Sequence, residues 1–175
     1  MKDLRHRKNI SYKRLIERLS YDPQTGEFRW KVNVPKRKAG QVAGCLFKSR
    51  ENFYIHINID RVIYQAHRLA WFYVYGNWPP EDIDHVNGNG LDNRIANLRL
   101  SSRSQNHMNR KLCRNAIGFK GVSLHKASGL WRARIKIGGK GGKQISLGYW
   151  KTPQQAKEAY DKAAREYFKE FWRAA

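Results

Sequence analysis

The run Ile83-Asp84-His85-Val86-Asn87-Gly88-Asn89-Gly90-Leu91-Asp92-Asn93-Arg94-Ile95-Ala96-Asn97-Leu98 concentrates His, Asn and Asp. These residue types suit one reaction. Hydrolysing a phosphodiester needs a base for water and a cation for the charge that develops on phosphorus and on the leaving oxygen. His85 is the candidate base. Asp84 and the side-chain carbonyl of Asn106 are hard oxygen ligands, appropriate to Mg²⁺ and poor for Zn²⁺. With one carboxylate the site is expected to hold a single ion, not a paired-metal clamp. Taken alone, an Asp-His dipeptide in an Asn-rich loop also describes a hydrogen-bonded histidine with no chemistry to perform.

Local signals show how the chain could bring these groups together. Ile83 ends an expected strand, the Gly88/Gly90 pair makes a turn, and Leu98-Arg99-Leu100 reads as a short return strand. Ser102-Arg103-Ser104-Gln105 is a capping box that starts a helix at Asn106. A strand, loop, strand and helix in this order let Asp84, His85 and Asn106 converge from opposite elements. Upstream, Ile10, Leu15, Ile16 and Leu19 space a helix within basic residues 1–20. Tyr21 to Trp30 reads as a Pro/Gly turn entering a strand, and 40–65 as further short strands. His67 to Tyr75 is apolar and helical, ending at Gly76. A packed histidine is the favoured reading of His67, and an exposed helix position that of His107. Trp30, Trp71, Trp78 and Trp131 are expected in cores.

Composition narrows the partner. The chain has 175 residues and carries 35 Lys and Arg against 14 Asp and Glu, a formal net charge of +21. Hydrophobic residues at 41% are enough for cores, which excludes a disordered basic tail. No apolar run approaches a membrane span, and no apolar stretch follows Met1–Arg7 to suggest a secretory signal. Cys45 and Cys113 are far apart and form no CxxC, so neither a disulfide framework nor a Cys-rich zinc site is expected. A protein of the cytoplasm, or of a host's cytoplasm if phage-encoded, follows as the expectation. No acidic residue lies between Asp92 and Glu158, while 15 Lys and Arg fall in 93–157. A single-sign stretch of that length implies a surface held against phosphates.

The C-terminal third shows where such a surface lies. Gly118–His125, Leu130–Ile137 and Lys143–Trp150 are three strand-like runs separated by Gly-rich turns. In the middle run Trp131, Ala133, Ile135 and Ile137 alternate with Arg132, Arg134 and Lys136, which predicts a sheet with one buried and one basic side. Thr152, Pro153 and Gln155 mark a helix start. Ala156, Ala159, Tyr160, Ala163, Ala164, Tyr167, Phe168 and Phe171 then recur at helical spacing, to cover the apolar side. A sheet that presents a basic face suits a DNA major groove.

Two resemblances sharpen these readings. The pattern Asp-His-x-Asn-Gly…Asp-Asn-x-x-x-Asn-Leu-Arg…Ser-x-x-x-Asn, with Ala66-His67-Arg68-Leu69-Ala70-Trp71 upstream, resembles the His-Asn-His (HNH) endonucleases of the phage and intron homing type over about residues 20–112. The resemblance implies a ββα-metal nuclease in which His85 activates water. Asp84 and Asn106 would hold one Mg²⁺ or Mn²⁺ ion, and Asn97 would orient the histidine or stabilise the loop. Asn93 would only fix the turn. Residues 118–172 resemble the plant ethylene-response-factor (Apetala-two, AP2) domain through Gly118-Phe119-Lys120-Gly121-Val122, Trp131-Arg132-Ala133-Arg134-Ile135, Leu147-Gly148-Tyr149 and Ala156…Ala159-Tyr160-Asp161-Lys162-Ala163-Ala164. That family's contact positions fall on Ser123, His125, Arg134, Lys136, Gln144 and Ser146. Several of these are Arg or Trp in the plant proteins, so the plant sequence preference does not carry over. Charge assigns Lys120 and Arg132 to phosphate, and Arg94, Arg99, Arg103, Arg110 and Lys111 to a phosphate track.

The fold class expected is α+β, a ββα-metal HNH nuclease domain followed by a three-stranded antiparallel sheet packed on one helix. The divisions expected are a basic N-terminal helix at 1–20, a nuclease domain at 21–112, a linker at 113–117 and an AP2-type domain at 118–172. The partner expected is double-stranded DNA, with no membrane and no small-molecule cofactor, bound by a monomer or a DNA-assembled dimer. One active site per chain implies nicking of one strand. Two other classes share the composition: a DNA-binding regulator that has lost cleavage, and an RNA- or ribosome-associated basic protein.

Overall fold

The computed structural model describes residues 10–49, 52–102, 105–106, 117–138 and 141–171. The chain separates into two compact units, residues 1–100 and 101–175.

The first unit begins with α1 (Tyr12–Arg18), whose start is capped by the Ser11 hydroxyl accepting from the Arg14 N–H at 3.2 Å. The chain passes directly into β1 (Leu19–Tyr21), which pairs antiparallel with β2 (Phe28–Trp30). Strands β3 (Cys45–Ser49), β4 (Asn52–Ile59) and β5 (Val62–Gln65) form an antiparallel sheet in that order. The β4–β5 turn is Asp60-Arg61, with φ of 50° and 66°. Both residues are left-handed, as the tightest hairpin turns require, with no glycine present. Asp60 is held there by Arg14 and Arg18 at 2.8 and 2.7 Å, which draw its carboxyl pKa down to about 2.

Helix α2 (Ala66–Tyr75) follows β5 without a loop and buries Ala66, His67, Leu69, Ala70 and Phe72. Ala66, Leu69, Ala70 and Phe72 pack with Leu15, Leu19, Phe28, Trp30, Ile57, Ile59, Ile83 and Leu98 into one core. β6 (Asp82–His85) then pairs with β7 (Leu98–Ser101). Here the structure goes beyond the sequence reading. The strand expected to end at Ile83 runs on through His85, so Asp84 and His85 belong to a paired strand instead of a loop. A loop and a short 3₁₀ turn (Ile95–Asn97) lead into β7.

In the second unit, β8 (Val122–His125), β9 (Leu130–Ile137) and β10 (Lys143–Trp150) form an antiparallel sheet with β9 in the centre. Helix α3 (Pro153–Phe168) lies on one side of it. Its start has the expected reciprocal cap: Thr152 Oγ1 accepts from the Gln155 N–H and Gln155 Oε1 from the Thr152 N–H, each at 3.3 Å. Ala156, Ala163 and Ala164 are buried, letting the helix lie close on Val122, Ala133 and Ile135. Tyr167, counted with the apolar stripe from its spacing, is exposed. Among the described residues no helix is long and apolar enough to cross a membrane.

Candidate functional site

Asp84 and His85 end β6 as neighbours in a strand, and both are buried, at 4% and 6% exposure. A carboxylate so placed needs a cation. Arg99, on β7, supplies one: its Nε and Nη2 donate to Asp84 Oδ2 at 3.0 and 2.8 Å. The arginine that charge alone assigned to a phosphate track is thus engaged inside the site. Arg94 is likewise engaged, pairing with Asp92 at 2.6 Å and holding that carboxyl at a pKa of about 2.

The loop after His85 is built by its own side chains. Asn87 Oδ1 accepts from the Asn89 N–H and Asn89 Oδ1 from the Leu91 N–H, two local turns that Asn favours by bonding the backbone two residues on. Asn97 closes the loop. Its Oδ1 accepts from the Asn87 N–H at 3.0 Å, and its Nδ2 donates to Asn87 Oδ1 at 3.1 Å and to the Asp92 carbonyl at 2.8 Å. Two close approaches leave no room for a side chain. A Cβ on Gly90 would fall 2.4 Å from the Phe53 carbonyl, and one on Gly26 would fall 2.5 Å from the Arg94 nitrogen. The loop is therefore seated against β4 on one side and the β1–β2 turn on the other.

The residue that meets the histidine is Asn93. Its Nδ2 donates to the Leu91 carbonyl at 3.2 Å, which turns Oδ1 toward His85 Nε2, 3.4 Å away. The Asn93 carbonyl in turn accepts from the Tyr21 hydroxyl at 2.7 Å. Sequence reasoning gave the orienting or stabilising role to Asn97 and only the turn to Asn93. Asn97 bonds to Asn87 and Asp92 within the loop, while Asn93 reaches the ring. Nothing in an Asn-rich string marks which amide will face the histidine, because the folding of the loop decides it.

Behind His85 stands His67, from the first turn of α2. The two imidazoles meet edge to face, centroids 5.0 Å apart at 79°, and Tyr54 of β4 lies 5.9 Å from His67 and 6.1 Å from His85. Burial pushes His67 well below the usual histidine pKa, with His85 adding to the shift. Burial also lowers His85, against the opposing effects of the Asn93 bond and the Asp84 and Asp92 charges. A neutral imidazole is the form able to accept a proton.

The donor set fits a hard cation. Asp84 offers carboxylate oxygens, the donors a hard cation takes, at a point where the Arg99 guanidinium already sits. Among the described residues no three His, Cys, Asp or Glu side chains cluster as a metal-holding group, so an ion here would depend on one carboxylate and neutral oxygens. Asn106 is helical and half-buried, its N–H donating to the Ser102 carbonyl at 3.0 Å, and Ser102 and Gln105 make the expected reciprocal cap. Arg103, His107, Arg110 and Lys111 lie outside the described residues.

In the second unit, strand register decides which side chains share the face away from α3. Ser123 pairs with Arg132, Arg134 with Ser146, and Lys136 with Gln144. Cross-strand partners point to the same side, so these six share one face, with His125 two residues beyond Ser123. Arg134 Nη1 donates to Gln144 Oε1 at 3.3 Å. Lys120 precedes β8, in the stretch where the Arg134 N–H donates to the Gly121 carbonyl. Tyr149 joins this face and was missed: it pairs with Arg132, is exposed, and its ring lies 5.2 Å from that of His125. The register slips between Ser146 and Gly148. One extra residue reverses the in–out phase downstream, so simple alternation from Ser146 puts Tyr149 on the wrong side.

Comparison with known proteins agrees with both resemblances. Residues 64–108 match the family of HNH endonucleases, and residues 117–170 match the AP2 domain. The chain is 39% identical to Protein 3.8 of Escherichia phage T7 over 59 residues, which are 33% of this chain and 49% of that protein. It is 30% identical to the uncharacterized HNH endonuclease L560 of Acanthamoeba polyphaga mimivirus over 109 residues, 61% of this chain and 54% of that protein. The chain spans about half the length of the curated relatives it matches. No solved structure matches it.

Proposed function

We propose that this chain, an HNH endonuclease domain followed by an AP2 domain, hydrolyses phosphodiester bonds in double-stranded DNA with one Mg²⁺ or Mn²⁺ ion per site. The observation that carries this reading is the placement of Asp84 and His85 side by side at the buried end of a strand, with Asn93 on the His85 ring and Arg99 on the Asp84 carboxylate. His85, kept neutral by burial, takes a proton from water as the oxygen attacks phosphorus. The bond to the leaving 3′ oxygen then breaks, giving a 5′-phosphate and a 3′ oxygen that takes a proton from solvent to become the 3′-hydroxyl. Asp84 and Asn106 would hold the metal, which supplies positive charge for the crowded phosphorus and the leaving oxygen. Arg99 sits where it can share that load.

The sheet of the second unit would do the anchoring. Arg134, Lys136, Gln144, Ser146, Ser123 and His125 would face the bases and backbone of a major groove, with Lys120 and Arg132 on phosphates. Binding energy gathered there holds a scissile phosphate at the nuclease domain. The domain limits proposed are 21–112 for the nuclease and 118–172 for the anchor, joined by 113–117. Each chain would nick one strand, as a monomer or as a dimer assembled on DNA, in a phage or mobile-element setting.

The test is relaxation of supercoiled plasmid by the wild-type protein with Mg²⁺, with EDTA, and by His85→Ala with Mg²⁺. Nicked circles in the first reaction alone are expected. Nicking by His85→Ala at the wild-type rate, or nicking in EDTA, would overturn the assignment of the base or the metal.

A further inference from the structure

Resting on the nuclease reading, we propose that His67 is a positioning residue for that reaction, holding the His85 ring in its working orientation. The Asn93 contact to the His85 ring is long, at 3.4 Å, and a hydrogen bond made in the ring plane leaves the tilt of that plane to be set by packing. A catalytic group needs its rotamer locked by the side chains behind it. His67 supplies that second constraint, standing nearly perpendicular to His85 at 5.0 Å, while Tyr54 closes the third side at 6.1 Å.

A second observation separates this role from plain packing. His67 is 6% exposed, and its Nδ1 is buried with no hydrogen-bond partner. Burying an unsatisfied nitrogen opposes folding, and a position that had only to fill space would be better served by Phe or Leu. An orphaned polar atom in a native core calls for a reason. Here it belongs to the side chain in ring contact with the proposed base. The His67 backbone is fixed as well: it lies in the first turn of α2, and its neighbours Ala66, Leu69 and Ala70 are all in the core.

The experiment compares His67→Phe with wild type in plasmid nicking, duplex affinity and thermal melting, and repeats the comparison in a His85→Ala background. Phe keeps an aromatic wall and removes the nitrogens. Expected is a fall in kcat of roughly ten- to a hundredfold, the size of effect that small misplacements of a reacting group produce. KM, duplex affinity and melting temperature should stay at or above wild type. In the His85→Ala background the substitution should cost nothing further, because its target is gone. Nicking by His67→Phe at the wild-type rate overturns the proposal, and so does an equal loss in the His85→Ala background. Were the wild-type protein to nick nothing, the nuclease reading would fail separately. The ring ¹H and ¹⁵N signals of His85 would then decide: they should shift and broaden in His67→Phe, and unchanged signals overturn the proposal. Should the Phe variant not fold, His67→Gln is put through the same assays, with the same overturning results.

Discussion

Both units bury an apolar core, and they differ in the polar side chains buried beside it. In the first, His67, Asp84, His85, Asn93 and Asn97 are all buried, the last four of them in hydrogen bonds or ion pairs. Among the described residues 117–171 of the second, the buried side chains are Val122, Ala133, Ile135, Ala156, Ala163 and Ala164, every one apolar, while Arg, Lys, Gln and Ser stand on the outer sheet face. The contrast fits the two tasks proposed. Moving a proton calls for groups whose ionisation is controlled by burial, and such groups are costly unless each finds a partner. Gripping a polyanion calls for solvated cations on a stiff support, which a small apolar core provides. Damage to the first unit should therefore appear as lost chemistry or lost stability, and damage to the second as lost affinity.

The largest effect expected is from His85→Ala, a loss of about 10²–10⁴-fold in nicking rate with duplex affinity unchanged. Plasmid relaxation and gel shift on one preparation measure both. Next is Asn97→Ala, which removes three loop hydrogen bonds and leaves the Asn87 N–H and Asp92 carbonyl without their partner. A destabilisation of about 2–4 kcal/mol is expected from buried bonds of this kind, read as a lower denaturation midpoint. Asn93→Ala should instead lower kcat more than stability. If the two asparagine variants behave alike, the loop does not divide its work in this way.

How much of this was legible beforehand depends on the range of the interaction. The Arg132/Arg134/Lys136 alternation, the Thr152–Gln155 cap and the α2 stripe are local patterns, and each appears in the structure near its expected place. Asp84 and His85 were legible as a dipeptide, and the structure buries them side by side at the end of a strand. Their partners were not legible. Arg99 comes from another strand, 15 residues on, and its charge read equally well as a phosphate contact. Asn93 was one amide among several, selected by a loop seated on Gly26 and Gly90. Tyr149 was hidden by a bulge. The Asp60-Arg61 turn carries no glycine to announce it, and the ion pairs to Arg14 and Arg18 that hold it are more than 40 residues distant in the chain.

Acid should also separate the units. His67 has a folded pKa well below the ordinary 6.5, so above that value the proton affects neither state. Below it the unfolded chain binds a proton that the folded chain refuses, and stability falls as pH drops. His85 and His56, both lowered by burial, act in the same direction. Hydrogen exchange at pH 7.5 and 5.5 should show protection falling across α2 and β4 while β9 and α3 keep theirs, and His67→Phe should lessen the fall. Equal loss in both units would break the contrast. The smallest expected effect is from Arg134→Ala. It should weaken duplex binding by about 1 kcal/mol and flatten the salt dependence of log Kd by about one unit, with the melting temperature held.

The division of labour is tested most directly by running His85→Ala and an Arg134→Ala/Lys136→Ala double variant beside wild type on one plasmid, with nicking rate at saturating protein and duplex affinity measured together. Expected is a separation: His85→Ala loses the rate and keeps the affinity, and the double variant loses affinity while nicking at the wild-type rate once saturated. A His85→Ala protein that nicks at the wild-type rate, or a double variant that binds as wild type, would contradict the assignment of chemistry to the first unit and recognition to the second.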